Sequence, residues 1–525
     1  MSAPSALAPT DHPTDEVVLT GHDLSREVLL SVAGGRCTVR AAEAALDEVT
    51  RVHRAAAGVP MAYGRTTGVG ALATEGVSET HRRTLPLRLL RSHASGVGGV
   101  LPEEVVRAAL VVRTNQLLDA GSGISPAVVA ALLRAANHPA VPIVHELGGL
   151  GTADLTALAE IGLALLGEAP WSGPAPEPLA TLEPGDGLAL LSSNAVTLAR
   201  AALALGRLAT VLDGADAVAS LSATALRANP EAFDPRVLGR RTSEAQERSA
   251  ARVRELLGPG LGQPSRIQDP YPLRCIPQVH GAALEALEDS WRHVERECNG
   301  AAENPLFVSM GPGASGAARE PSANAPGRAA GRADGSSVSP RDASADDEER
   351  VEALHHGGFL ALSVTLSLDR LRAALVPVAL ASTGRLGLLV DSSRTGLRPF
   401  LADDEEGSSG VMLAEYVAQA ALARLRWAST PASGWPVSIS LGIETLASWL
   451  PLSVEQLELA STSLAQVLAA ELLAAARANR QSGRPLGPDL AQLLSLEHAA
   501  SNSRDEDAPL GAAIEALALA IGRGL

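Results

Sequence analysis

Residues 187–229 contain no proline and are dominated by alanine, leucine and valine. The period and length of this stretch predict one or two buried helices, and helices buried on most sides must pack against other helices. Residues 362–379, 410–428 and 454–476 read as further bundle helices. The expected fold class is therefore mainly α, a long up-and-down helical bundle, in keeping with an aromatic content of only 2%. Arg200, Arg207, Asp213 and Asp216 interrupt the longest apolar stretch, so no membrane span is expected.

Ahead of the bundle, Val17-Val18-Leu19 and Cys37-Thr38-Val39 read as short strands and residues 41–57 as a helix, which predicts a small N-terminal α+β head. The expected division is a disordered tail over 1–16, a head over 17–150, a first part of the bundle over 151–308 and a second over 351–525. Between the two parts, residues 309–350 are rich in Gly, Ala, Ser, Pro and Arg with an acidic end. That composition buries too little apolar surface to order itself, and a disordered insertion is expected.

The formal net charge of −16 argues against duplex nucleic acid or an anionic membrane as partner, both of which need clustered cations. All 43 basic residues are arginines, which excludes lysine Schiff-base chemistry. Cys37, Cys275 and Cys298 are odd in number and widely spaced, which points to reduced thiols and a cytoplasmic setting. His355-His356 lacks both the i, i+4 spacing and the third ligand of a metal site, so solvent-exposed or loop histidines, and no metal, are expected.

The chemistry is expected at Gly148-Gly149-Leu150-Gly151-Thr152-Ala153-Asp154. There glycines permit positive backbone angles, and Asp154 stands as a natural N-cap for the apolar run from Leu155. Further segments follow the same order as those of a known family: Tyr63-Gly64-Arg65-Thr66-Thr67-Gly68-Val69-Gly70; Ser92-His93-Ala94-Ser95-Gly96; Gly187-Leu188-Ala189-Leu190; Gln268-Asp269-Pro270-Tyr271-Pro272-Leu273-Arg274-Cys275-Ile276-Pro277-Gln278-Val279; and Glu303-Asn304-Pro305-Leu306. Together they resemble the aromatic amino acid lyases, the histidine, phenylalanine and tyrosine ammonia-lyases and related aminomutases. In that family an Ala-Ser-Gly triplet cyclises into the electrophile methylidene-imidazolone. Gly151-Thr152-Ala153 occupies the triplet here, Ser192 stands for an asparagine near the electrophile, and Gly358 and Leu360 replace the polar residues of a Gly-Asn-Phe-His-Gly segment.

The resemblance implies that Tyr63 is the base for the β-proton and that Arg274, with Tyr271, holds a substrate carboxylate. It further implies that His93 reads the distal ring, that Ser192 and Asn304 line the site, and that Glu444 supports the nitrogen end as a second acid or base. A tetramer with sites shared between subunits is implied as well. A tyrosine base needs its ordinary pKa of about 10 lowered, and Arg65, two positions on, is expected to do this. Other roles stay open for these side chains: a core-edge tyrosine, a structural ion pair for Arg274, a satisfied interior histidine, a solvated glutamate.

Ring closure requires a compressed turn that glycine allows and Ala153 obstructs, while dehydration of Thr152 would leave a methyl group crowding the electrophilic carbon. The expectation is therefore a lyase without methylidene-imidazolone and without any other cofactor, acting by β-elimination or related proton abstraction on a carboxylate-bearing molecule derived from an amino acid. A quaternary trimethylammonium departs without activation, the logic of the ergothionase branch of the same superfamily. The alternatives are a conventional ammonia-lyase or aminomutase in which the triplet still cyclises, and a catalytically inactive scaffold.

Overall fold

The computed structural model describes residues 15–240, 243–258, 263–310, 350–501 and 508–525. Most of the expected tail and insertion lie outside these residues. Two edges of those expectations do fall inside: Asp15 and Glu16 begin a strand, and Ser309 and Val351 are paired across an antiparallel ladder. The described chain is mainly helical, as its composition requires, and gathers into two compact units that do not follow the sequence division into head, first bundle and second bundle.

The first unit comprises residues up to Val196 together with Glu297–Leu360 and Val437–Leu446. Its β-content among the described residues is three two-stranded sheets. Asp15–Leu19 runs parallel to Cys37–Ala41, with Leu19 opposite Ala41, and the helix Arg26–Ala33 makes the crossover that a parallel pair demands. Ser25 caps that helix by accepting from the Val28 amide. The helix Glu103–Leu118 is buried on nearly every side, including its polar residues Arg113, Thr114, Asn115 and Gln116. Those four side chains are the unit's internal framework.

The second unit holds most of Ala195–Ala225 and Ile276–Cys298, with Glu244–Leu257, Leu362–Val390, Met412–Ala428, Leu450–Ser482, Pro488–Ala500 and Leu510–Arg523. Three of its long helices are fastened by one buried group. The Glu471 carboxylate accepts from Arg385 at 2.6 and 2.9 Å and from the Ser222 hydroxyl at 2.6 Å. Such a pair is tolerated in an apolar interior because each charge is matched and hydrogen-bonded. Leu450–Ser482 ends at Gly483, whose φ of +61° lets its amide return to Asn479 and Arg480.

Three helical segments, Asp186–Ala225, Leu362–Val390 and Leu450–Ser482, are long and apolar enough by length and composition to cross a membrane, contrary to the reading that charges exclude every such run. Their apolar windows are 94%, 50% and 83% buried within the protein itself, so protein packing accounts for much of that hydrophobicity.

Candidate active site

Tyr63 sits in a loop wound tightly on itself. The Ala62 carbonyl accepts from Arg65 (3.2 Å) and Thr66 (2.9 Å), and Thr66 Oγ1 accepts from the Ala62 amide (2.9 Å). Gly64 is required at its place: it has φ +65°, and a Cβ there would lie 2.2 Å from Leu188 Cδ2. Close approach to the Gly187-Leu188-Ala189 segment is what that glycine provides. Farther along the loop the Gly70 amide donates to Tyr63 Oη at 2.6 Å, fixing the phenol oxygen and aiming an N–H dipole at it. The Val437–Leu446 segment packs on the same loop, with Ser440 Oγ 2.9 Å from where a Cβ on Gly70 would stand. Glu444 is half-buried in that segment, and its backbone is bridged to Ile439.

Arg65, expected to lower the pKa of Tyr63, engages other groups. It is buried, and its electrostatic partners are Asp186 and Glu183 while its guanidinium lies 5.8 Å from the centre of the Phe307 ring. Burial lowers its pKa from the ordinary arginine value, and the two acids oppose that shift. In place of a cation, the phenol oxygen has a backbone amide.

The Gly151–Ala153 turn lies in the same unit. Gly151 has φ +81° and Ala153 φ +102°, a region that glycine occupies freely and alanine rarely. Its exit is pinned by the Asp154 amide, which donates to the Ser193 carbonyl at 2.7 Å. Asp154 holds the N-cap position of Leu155–Leu165, but its side chain makes no cap hydrogen bond, so the cap expected from sequence is positional only.

Ser192 and Asn304 meet: the Asn304 amide donates to Ser192 Oγ at 3.2 Å. Beneath them runs a buried ion pair that sequence reasoning did not single out. Arg113 donates to Glu303 at 2.8 Å and to the carbonyls of Ala189 and Leu190, so one guanidinium grips both the end of the helix Asp186–Leu191 and the residue before Asn304. Burial raises the Glu303 carboxyl above the usual range, with Arg113 pulling the other way. Gln116 completes the support by accepting from Ser193 Oγ at 2.6 Å. The one sequence signal was a cluster of polar residues inside the otherwise apolar Glu103–Leu118.

His355 and His356 lie in a loop, as expected, His355 exposed and His356 half-buried, and both bond to residues of this site. His355 Nε2 accepts from the Tyr63 amide at 3.3 Å, and the His356 amide donates to Asn304 Oδ1 at 2.9 Å. Among the described residues no three potential metal-ligating side chains converge. His93 Nδ1 donates to the Leu89 carbonyl at 2.9 Å within its own helix, which places a proton on Nδ1 and leaves Nε2 outside this bond. The second unit carries Arg274 and Tyr271. Arg274 stacks 4.4 Å from the centre of the exposed Tyr271 ring, and Gln268, with its amide oxygen turned inward, accepts from both guanidinium ends. Among the described residues Arg274 has no ion-pair partner.

Residues 24–499 match the family model for aromatic amino acid lyases. The chain belongs to the aromatic amino acid lyase family. Histidine ammonia-lyase from Stigmatella aurantiaca is 33% identical over 483 residues, 88% of this chain and 87% of that protein. Histidine ammonia-lyase from Myxococcus xanthus is 31% identical, with 97% of each chain covered. Among solved structures, ergothionase from Treponema denticola, an ergothioneine-degrading enzyme captured with desmethyl-ergothioneine sulfonic acid, superposes with a TM-score of 0.85 at 25% identity, covering 97% of this chain and 99% of that one. Tyrosine aminomutase from Streptomyces globisporus shares the fold, with a TM-score of 0.83. As a member of this family the chain is an enzyme of the carbon–nitrogen lyase kind.

Proposed function

We propose that this lyase works without methylidene-imidazolone and eliminates a quaternary trimethylammonium group from a carboxylate-bearing betaine of the histidine type. The observation that carries the reading is Ala153 at φ +102° after Thr152. A Cβ in the last place of the triplet and a second methyl on the residue that would have to dehydrate do not fit the family's electrophile, and no step is routed through it.

The reaction needs a base, a grip on the carboxylate and a leaving group that departs unaided. Tyr63, as phenolate, takes a β-proton, and the C–H pair becomes the Cα–Cβ double bond. The Cα–N bond breaks and trimethylamine leaves with its electrons, giving an acrylate, after which the tyrosine passes its proton to the amine or to water. Arg274, with no carboxylate of its own, has the fork geometry to bind the substrate's. His93 Nε2 faces the azole ring in this scheme, and Glu444 neutralises the cationic nitrogen before it leaves. We place these groups in a homotetramer with shared sites. Similarity to histidine ammonia-lyases supports an azole ring, and similarity to ergothionase supports the trimethylated nitrogen.

The deciding experiment is intact mass spectrometry of the purified protein, followed by incubation with ergothioneine, Nα-trimethylhistidine and histidine. An unmodified mass, trimethylamine release from a betaine and no ammonia from histidine are expected. A protein lighter by two waters at residues 151–153 that deaminates histidine would overturn the proposal in favour of the conventional ammonia-lyase.

A further inference from the structure

Two imidazoles occupy this site where the sequence pattern has lost its polar groups at Gly358 and Leu360. Their hydrogen bonds set their tautomers. His356 Nδ1 accepts from the Gly358 amide at 2.9 Å, so the neutral ring carries its proton on Nε2. That Nε2 is buried and has no hydrogen-bond partner among the described residues. A buried donor left unpaired is costly, and its retention calls for an acceptor that meets it in the working enzyme.

The ring is also held rigidly. Its backbone amide is bound to Asn304 Oδ1, and Asn304 is bound through its own amide to Ser192 Oγ. The neighbouring imidazole, His355, accepts from the amide of Tyr63, the proposed base. Gly358 keeps the Nδ1 bond short, since a Cβ there would stand 2.7 Å from His356 Nδ1. The donor thus belongs to the framework that holds Tyr63, Ser192 and Asn304 together.

We infer that His356 is a substrate-contacting residue whose Nε2–H donates to an acceptor atom brought by the substrate, and that His355 is a positioning residue for the Tyr63 loop. The inference rests on the elimination reading above and deepens it: the substrate must offer a lone pair, from either its carboxylate or its azole ring, at the His356 donor. The two imidazoles thereby supply, a few residues upstream, polar contacts that Gly358 and Leu360 no longer make.

The test compares the wild-type enzyme with His356→Phe, which fills the space without a donor, and His356→Gln, whose amide can donate again. Turnover of ergothioneine and Nα-trimethylhistidine is measured, and binding of both is titrated in a Tyr63→Phe background. His356→Phe is expected to raise KM and weaken binding about tenfold, as for loss of one charge-assisted hydrogen bond, with kcat changed less than threefold. His356→Gln is expected to recover most of the affinity, with both variants melting within a few degrees of the wild type. Carboxamide and ring-deleted analogues identify the acceptor: the analogue that lacks it binds wild type and His356→Phe alike. Wild-type turnover with KM unchanged in His356→Phe overturns the inference alone and reduces the site to a bound water. A wild-type enzyme that neither binds nor consumes either betaine overturns the elimination reading with it.

Discussion

Replacing Ala153 by glycine tests the backbone conformation on which the mechanism depends. At φ +102° an alanine side chain costs on the order of 1–3 kcal/mol relative to glycine, because Cβ crowds its own carbonyl. Glycine returns roughly 0.4–1 kcal/mol of this through the larger entropy of its unfolded chain. The net expectation is a more stable protein by about 1 kcal/mol, which for a cooperative unit of this size is a rise in Tm of about 2 °C. Ala153 is 5% exposed, so solvent does not blur the effect. The assay is differential scanning calorimetry of Ala153→Gly beside a control at Ala157, an ordinary helical position where glycine lowers stability. A melting point for Ala153→Gly that falls as it does for Ala157→Gly refutes the positive-φ turn, and with it the steric case against ring closure.

Three other outcomes are expected. Tyr63→Phe removes the phenol that accepts from Gly70 and should lower betaine turnover by about 10²–10⁴-fold, with the fold retained by circular dichroism. Gly64→Ala puts a Cβ against Leu188 at a positive φ and should destabilise by about 1–3 kcal/mol in a urea titration, and Leu188→Ala in the same chain should restore part of the loss. Asp234, bonded to the Arg236 guanidinium and amide, has its pKa lowered from 3.8 to about 2. Its contribution to stability is present above 3.8 and disappears as pH falls through about 2, and Arg236→Gln should return the midpoint, followed by carboxyl NMR, towards 3.8.

Periodicity read the long helices well and their ends poorly. The segment 187–229 proved to be two helices, Asp186–Leu191 and Ala195–Ala225, broken at Ser192–Asn194, where the Asp154 amide and the Asn304 amide dock. The expected helix over 362–379 runs on to Val390 through Pro377, because burial of Val378, Leu386 and Leu389 outweighs the proline's missing donor. The order of motifs made the family legible. Sequence proximity did not foretell that Arg65 is buried with Asp186 and Glu183 as its electrostatic partners. It also hid Arg113–Glu303 and the two histidines, whose roles depend on partners between 52 and 292 positions away.

The choice of leaving group follows from comparing two acids that compete for one base. An α-ammonium N–H has a pKa on the order of 8–10, and a β C–H is far less acidic, so a phenolate beside an ordinary amino acid takes the nitrogen's proton first. The product is a neutral amine, whose departure as amide anion is prohibitive. A quaternary nitrogen has no proton to lose and stays cationic at every pH, so the same tyrosine can act only at carbon. On the proposed reading, with no electrophile to change the nitrogen's character, this site should turn over histidine derivatives according to the number of N-methyl groups. Nα-trimethylhistidine should react, whereas the dimethyl and monomethyl compounds should bind but stay intact, as trimethylamine, dimethylamine and methylamine release would report. Equal rates for the dimethyl and trimethyl substrates would mean that the enzyme activates a protonatable nitrogen by some other group, and the reasoning from Ala153 to the substrate would fail at its last step.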